Sequence, residues 1–265
     1  MTSAARSSRP RSANARPARR TAAGKDAGLT PEAIVACALE LTQREGAAAL
    51  TLRRIGQELG VDATAFYRHF RDKDDLVLAC MDRIIEQSYD RIAPVVDGAD
   101  WRTVVAEIAA ESWRTCAVYP AIYSVAFART TGGPGERRMV ELLLGSLSAL
   151  GLGPERTVGL YRFFVDSILA MCGMRAAMLG LPREMQEKDA TAWSRIYAVL
   201  PEESYPATRA HADELAAITE DSIFASLVEA ILTAIGTKAA EVDAPQPAPA
   251  RRRSSKIRSG SPGDV

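Results

Sequence analysis

The segment TLRRIGQELGVDATAFYRHF, residues 51–70, decides the fold. Thr51 is a good N-cap, and Leu52, Ile55 and Leu59 recur at helical spacing to face inward until Gly60 ends the run. Asp62 then caps a second short helix that runs through His69. Two short helices joined by a glycine-containing turn are the geometry that presents the second helix to the major groove of DNA. Its first turn carries only small side chains, Ala63, Thr64 and Ala65, so the backbone can approach phosphates and base edges closely. Phe66 and Phe70 point to the core, which leaves Thr64, Tyr67, Arg68 and His69 for DNA, flanked by Arg53, Arg54 and Lys73.

Working outward, Thr30 caps a first helix with Pro31 at its first position; Ile34, Ala38 and Leu41 form its apolar stripe and Gly46 ends it. Asp72 opens a fourth helix, with Leu76, Ile84 and Ile85 on one face, that is expected to stop at Pro94. Further helices start near Trp101, Pro120, Gly135 and Pro154, a pair lies around residues 186–198 and 206–217, and a last one covers about 220–238. Hydrophobic residues make up 47% and aromatics only 6%, with no period-two segments, so the expected class is all-α. The organisation read from this is a helix-turn-helix domain at 29–75 and a larger helical domain at 76–239, between basic tails at 1–28 and 240–265 too poor in large apolar side chains to order.

The net charge of zero hides an asymmetry. Up to and including Arg71 there are 12 Lys and Arg against 6 Asp and Glu, and beyond it 21 against 27. A polyanion is therefore held at one end of the chain only. Cys37, Cys80, Cys116 and Cys172 are far apart in apolar surroundings and read as buried small hydrophobes, and with only His69 and His211 a zinc site is not expected; no cofactor is implied. The most apolar stretch, 157–181, is interrupted by Arg162, Asp166 and Arg175, which argues against a membrane span, and Arg162 and Asp166 read as a buried ion pair. The protein is expected to be soluble and cytoplasmic. No glycine-rich phosphate loop, nucleophile elbow or paired His/Asp/Glu cluster appears, so an enzyme is disfavoured.

From Thr30 to about Leu76 the chain resembles the tetracycline-repressor (TetR) family of bacterial regulators, through Ile34, Ala38, Leu41, Gly46, Thr51, Ile55, Leu59, Gly60, Val61, Tyr67, Phe70, Lys73 and Leu76. The resemblance implies phosphate contacts from Thr64, Tyr67, His69 and Lys73, and base proximity for Arg53 and residues 63–65. Arg53 then reads a guanine bidentately. Gly56 stands where the family usually has Ala, a modest loss of helix propensity, and Ala65 where Thr is usual; Ala65 can touch a thymine methyl but cannot donate a hydrogen bond.

A short recognition helix supplies few base contacts, so such proteins bind two half-sites as dimers, and a homodimer on a palindromic double-stranded DNA operator is expected. The last helix, with Phe224, Leu227 and Ile231, and the 154–180 segment, with Gly159, Ser167, Ala170, Gly173 and Ala177, are the candidates for a four-helix interface, unless both are plain core helices. The family resemblance further implies a pocket for a lipophilic or aromatic effector that releases DNA; Trp113, Tyr123, Phe127, Tyr161, Phe164, Met171 and Trp193 are candidate lining residues or, alternatively, ordinary core. The competing reading is a helix-turn-helix activator or architectural protein, without an inducer, whose second domain only dimerises.

Overall fold

The computed structural model describes residues 29–243, and the expected tails at 1–28 and from 244 onward lie outside the described residues. Twelve α-helices are formed and no strand is present among the described residues. Helix α1, Pro31–Glu45, is capped by the Thr30 hydroxyl, which accepts from the Ala33 amide at 3.2 Å. Helix α2, Leu52–Leu59, is capped in the same way by Thr51 and ends at Gly60, whose φ of 67° is the left-handed conformation that glycine adopts without penalty. The second motif helix, Ala63–Arg68, is a 3-10 helix: at six residues it closes Ala65 N–H on Asp62 O and His69 N–H on Phe66 O.

Helix α3, Lys73–Val96, begins one residue after its Asp72 cap and leaves the helix-turn-helix as one rod about 36 Å long at 1.5 Å per residue. The expected stop at Pro94 is corrected. Proline so near the C-terminus costs one backbone bond, and the buried side chains of Ile92 and Val96 on either side hold the last turn in place. The second-domain boundary expected at 75/76 thus falls inside the first turn of α3.

Around α3 are packed α4 (Trp101–Val118), α5 (Pro120–Ala126) and α6 (Pro134–Ser148), and α7 (Pro154–Leu179) packs in turn on these three. One continuous apolar core runs from Ile34 and Phe66 at the first domain to Leu147, Phe164 and Ile235 in the second. Helices α8 (Arg183–Ala190), α9 (Ala192–Arg195), α10 (Pro206–Ala210) and α11 (Ala212–Ala217) replace the expected pair of longer helices, each too short to bury an extended face. The last helix, α12, Glu220–Asp243, packs on α4 and α7 and extends through residues 240–243, which were expected to belong to a tail.

By length and composition α7 and α12 are both apolar enough to cross a membrane, so the charges at 162, 166 and 175 do not by themselves remove α7 from that class. Its packing against α4, α5 and α6 accounts for the apolar side that is buried. Arg162 and Asp166 do pair, at 2.9 Å, but on the solvent side of α7 rather than buried. All four cysteines are buried and free, and burial pushes the Cys80 thiol up to about 12, which leaves it protonated and inert.

Candidate nucleic-acid interface

The turn between α2 and the recognition helix is closed from both sides. Asp62 accepts from the Thr64 amide at 2.8 Å and the Thr64 hydroxyl at 2.7 Å, and these donations hold its carboxyl below the usual range. Val61 N–H donates to Gly56 O at 3.0 Å. A Cβ on Gly56 would stand 2.9 Å from Val61 O and 3.3 Å from the Phe66 ring. The glycine that reads as a loss of helix propensity is what lets the turn and Phe66 close onto α2, and Phe66 is fully buried there.

The exposed face of this motif carries Arg53, Thr64, Tyr67, Arg68 and Lys73, with Ala63 and His69 half-buried beside them. Tyr67 is 61% exposed, which excludes a core-aromatic role in the single chain and leaves a large amphipathic ring on the surface. Arg53 and Lys73 make no ion pair among the described residues. Arg54, grouped with them by sequence, is instead committed: its guanidinium meets Glu45 at 2.6 Å and Glu58 at 2.9 Å, and Arg44 joins the same two carboxylates. The Arg54 and Arg44 hydrogen bonds lower Glu45 to about 2, and the cluster fastens the end of α1 to α2. Ala65 is a second correction: its side chain is 5% exposed, turned into the domain, and in this geometry cannot meet a thymine methyl.

Behind the motif, α3, α4, α5, α6 and α7 enclose a cavity of about 110 Å³ bordered by Met81 and Ile85 of α3, Leu143 of α6 and Ile168 of α7. Four of the seven expected lining residues, Tyr123, Phe127, Tyr161 and Phe164, border it. Three do not. Trp113 is stacked on Phe224 at 4.1 Å, under the Arg175 guanidinium, and donates its Nε1–H to Asp221 at 2.7 Å, so it ties α12 to α4. Met171 packs against the core elsewhere, and Trp193 sits on α9 against Tyr197, exposed. The α3 residues went unnoticed in the sequence because an apolar stripe looks the same whether it faces a neighbour or a void.

The candidate dimer residues divide similarly. Gly173 is buried, and a Cβ there would fall 2.5 Å from the Phe127 ring, so it serves packing within the chain; Phe224 and Ile231 are also inside, while Leu227 is half-buried and Ser167 partly so. Gly159, Ala170 and Ala177 are exposed, and with Phe163 and Met174 they form one uncovered stripe down α7.

The fold is thus a helix-turn-helix motif carried by a larger helical domain with an internal cavity, the architecture shared by the proteins this chain is similar to. Residues 34–80 match the model of the "Bacterial regulatory proteins, tetR family". That match covers the helix-turn-helix end of the chain, from α1 into α3. It is 30% identical to the HTH-type transcriptional repressor Rv1353c of Mycobacterium tuberculosis over 137 residues, 50% of this chain and 52% of that protein, so the chain spans about half the length of the curated relatives it matches. The structure of the transcriptional regulator SCO7222, a TetR from Streptomyces coelicolor, is 25% identical with a TM-score of 0.61, covering 80% of this chain and 99% of that one. The fold is shared as well with Streptomyces coelicolor ActR, solved in complex with actinorhodin, at 22% identity and a TM-score of 0.67 over 82% of this chain and 99% of that one.

Proposed function

We propose that the chain is a transcriptional repressor that binds a palindromic DNA operator as a homodimer and leaves it when a small lipophilic or aromatic effector enters the cavity. The observation that carries the reading is the arrangement along α3: the rod starts at Lys73, exposed like Thr64 and Tyr67 of the preceding motif, and Met81, Ile85 and Ser88 border the cavity further along it. A ligand that moves the rod moves the recognition helix with it. In this reading Thr64, Tyr67, Arg68, His69 and Lys73 fix the protein on phosphates, Arg53 reads a base, and Ala63 allows close approach. The relative ActR, seen with actinorhodin, and the relative Rv1353c, a repressor, support it by analogy.

For the dimer, the uncovered stripe of α7 with Ile223, Ala230 and the outer face of α12 offers the self-complementary apolar surface that a two-fold pair needs. The test is an operator selected from genomic fragments and titrated by fluorescence anisotropy at fixed salt. Tyr67→Ala and Lys73→Ala should each weaken binding about tenfold while the protein stays dimeric by sedimentation, because each removes a phosphate contact. Unchanged affinity in both would sink the proposed docking.

A further inference from the structure

The cavity does not end at its apolar wall. It opens past Phe127, Tyr161 and Val165 into a groove of about 770 Å³ that carries Arg129, Arg137 and Arg162 together with Glu136, Glu141 and Asp166. Only two charged residues, Arg129 and Glu136, border both spaces. Glu136 is already engaged: its Oε2 accepts from the Gly132 amide at 2.5 Å and the Thr131 hydroxyl at 3.0 Å. Arg129 sends its two terminal nitrogens outward to Asp74 on α3, at 2.8 and 2.7 Å, and this pair is about half exposed. Arg137, also in the groove, has no ion-pair partner among the described residues, whereas Arg162 is paired with Asp166.

The loop that carries Arg129 is held to α3 at two points of unequal strength. At the buried one, Asp82 accepts from the Gly135 and Glu136 amides, at 3.2 and 2.9 Å, and from the Thr131 hydroxyl at 2.9 Å, so a side chain of α3 caps the start of α6. At the solvated one, Arg129–Asp74, an ion pair contributes little and exchanges readily. Asp74 is the neighbour of Lys73, at the DNA-reading end of α3.

We propose that the effector is an amphipathic organic anion: its apolar body fills the cavity, its carboxylate takes Arg129 from Asp74 with Arg137 alongside, and that exchange frees the DNA-reading end of α3 from the effector domain. The proposal rests on the effector reading above and adds the ligand's charge and the contact it breaks. A guanidinium meets a second carboxylate with the same forked geometry it offers the first, so the two anions compete for one group.

The test is calorimetric titration of the full-length protein with phenylbutanoate, which has the anionic head, and with phenylbutanamide, which has the same body and no charge. The wild type should bind the carboxylate about tenfold more tightly, as charge-assisted pairing requires. Arg129→Gln should abolish that preference without changing amide affinity, and Asp74→Asn, which removes the competitor, should tighten the carboxylate several-fold and leave the amide unchanged. Equal binding of the two compounds by wild type, or a preference that survives Arg129→Gln, overturns the proposal and leaves the effector reading standing. Binding of neither compound overturns both.

Discussion

Helix α6 contains two glycines, Gly135 in its first turn and Gly145 further along, and the structure assigns them opposite responses to the same substitution. Glycine in a helix interior costs about 0.5–1 kcal/mol relative to alanine, so Gly→Ala begins with that gain at Gly145 and with less of it at Gly135, the second residue of the helix. At Gly145 a Cβ meets nothing within 4 Å, and the gain stands. At Gly135 a Cβ would lie 2.5 Å from Asp82 O and 2.7 Å from Glu86 N, both backbone atoms of α3. Overpacking of this kind costs about 1–3 kcal/mol when side chains can yield, and backbone yields less, so the upper half of that range applies. Gly145→Ala should therefore stabilise by about 0.5–1 kcal/mol and Gly135→Ala destabilise by about 1–3 kcal/mol net. Urea unfolding followed by circular dichroism, at one protein concentration for all variants, measures both. Equal shifts in the two midpoints would refute the close α3–α6 approach and the capping of α6 by Asp82 that depends on it.

Arg53→Ala should relax the operator preference at one base pair by about 1–3 kcal/mol, read by anisotropy against single-substituted operators, whereas a uniform loss at all positions would make Arg53 a phosphate contact. The Glu45 carboxyl, lowered from 4.5 to about 2 by Arg54 and Arg44, adds stability present above its unfolded value and lost as the pH falls through its folded one. Melting temperature should accordingly drop between pH 4.5 and 2 more steeply in wild type than in Glu45→Gln, and parallel curves would count against the cluster. Trp113→Ala removes the stack on Phe224 and the Asp221 bond, costs about 2 kcal/mol for a ring only partly buried, and should loosen α12 enough to weaken the dimer in sedimentation. A dimer constant unchanged by Trp113→Ala would place the interface off α12.

What the sequence made legible is local chemistry. The caps at Thr30, Thr51, Asp62 and Asp72 and the glycine stops at 46 and 60 are read within four residues of where they act, and each closes its helix as expected. The same locality explains the misreadings. Pro94 signals a stop only if the flanking turn has no tertiary support, and Ile92 and Val96 supply it. Arg54 looks like a DNA-facing cation until Glu45, nine positions away, is brought against it. The family resemblance puts Ala65 near a base, but here it lies in a 3-10 helix, which winds faster than an α-helix, and its side chain is turned inward.

The contacts that connect the cavity to the DNA-reading end could not be read in this way. Arg129 to Asp74 spans 55 positions, Thr131 to Asp82 spans 49, and neither end carries a signature that names the other. Asp74 and Asp82 are ordinary first-turn and mid-helix acids in the sequence of α3, and the loop from 127 to 133 reads only as a break between helices. Yet these two acids, spaced two turns apart on one rod, are what the loop at the mouth of the cavity is fastened to, one by a buried capping network and one by a solvated ion pair. A fixed point and a releasable point on the same helix make a pivot, because breaking the weak contact leaves the strong one to define the axis of movement. For an effector-responsive regulator built on α3, the direction of the response then follows from which of the two points the ligand can reach, and only Arg129 borders the cavity among the groups that form them with a partner near the DNA.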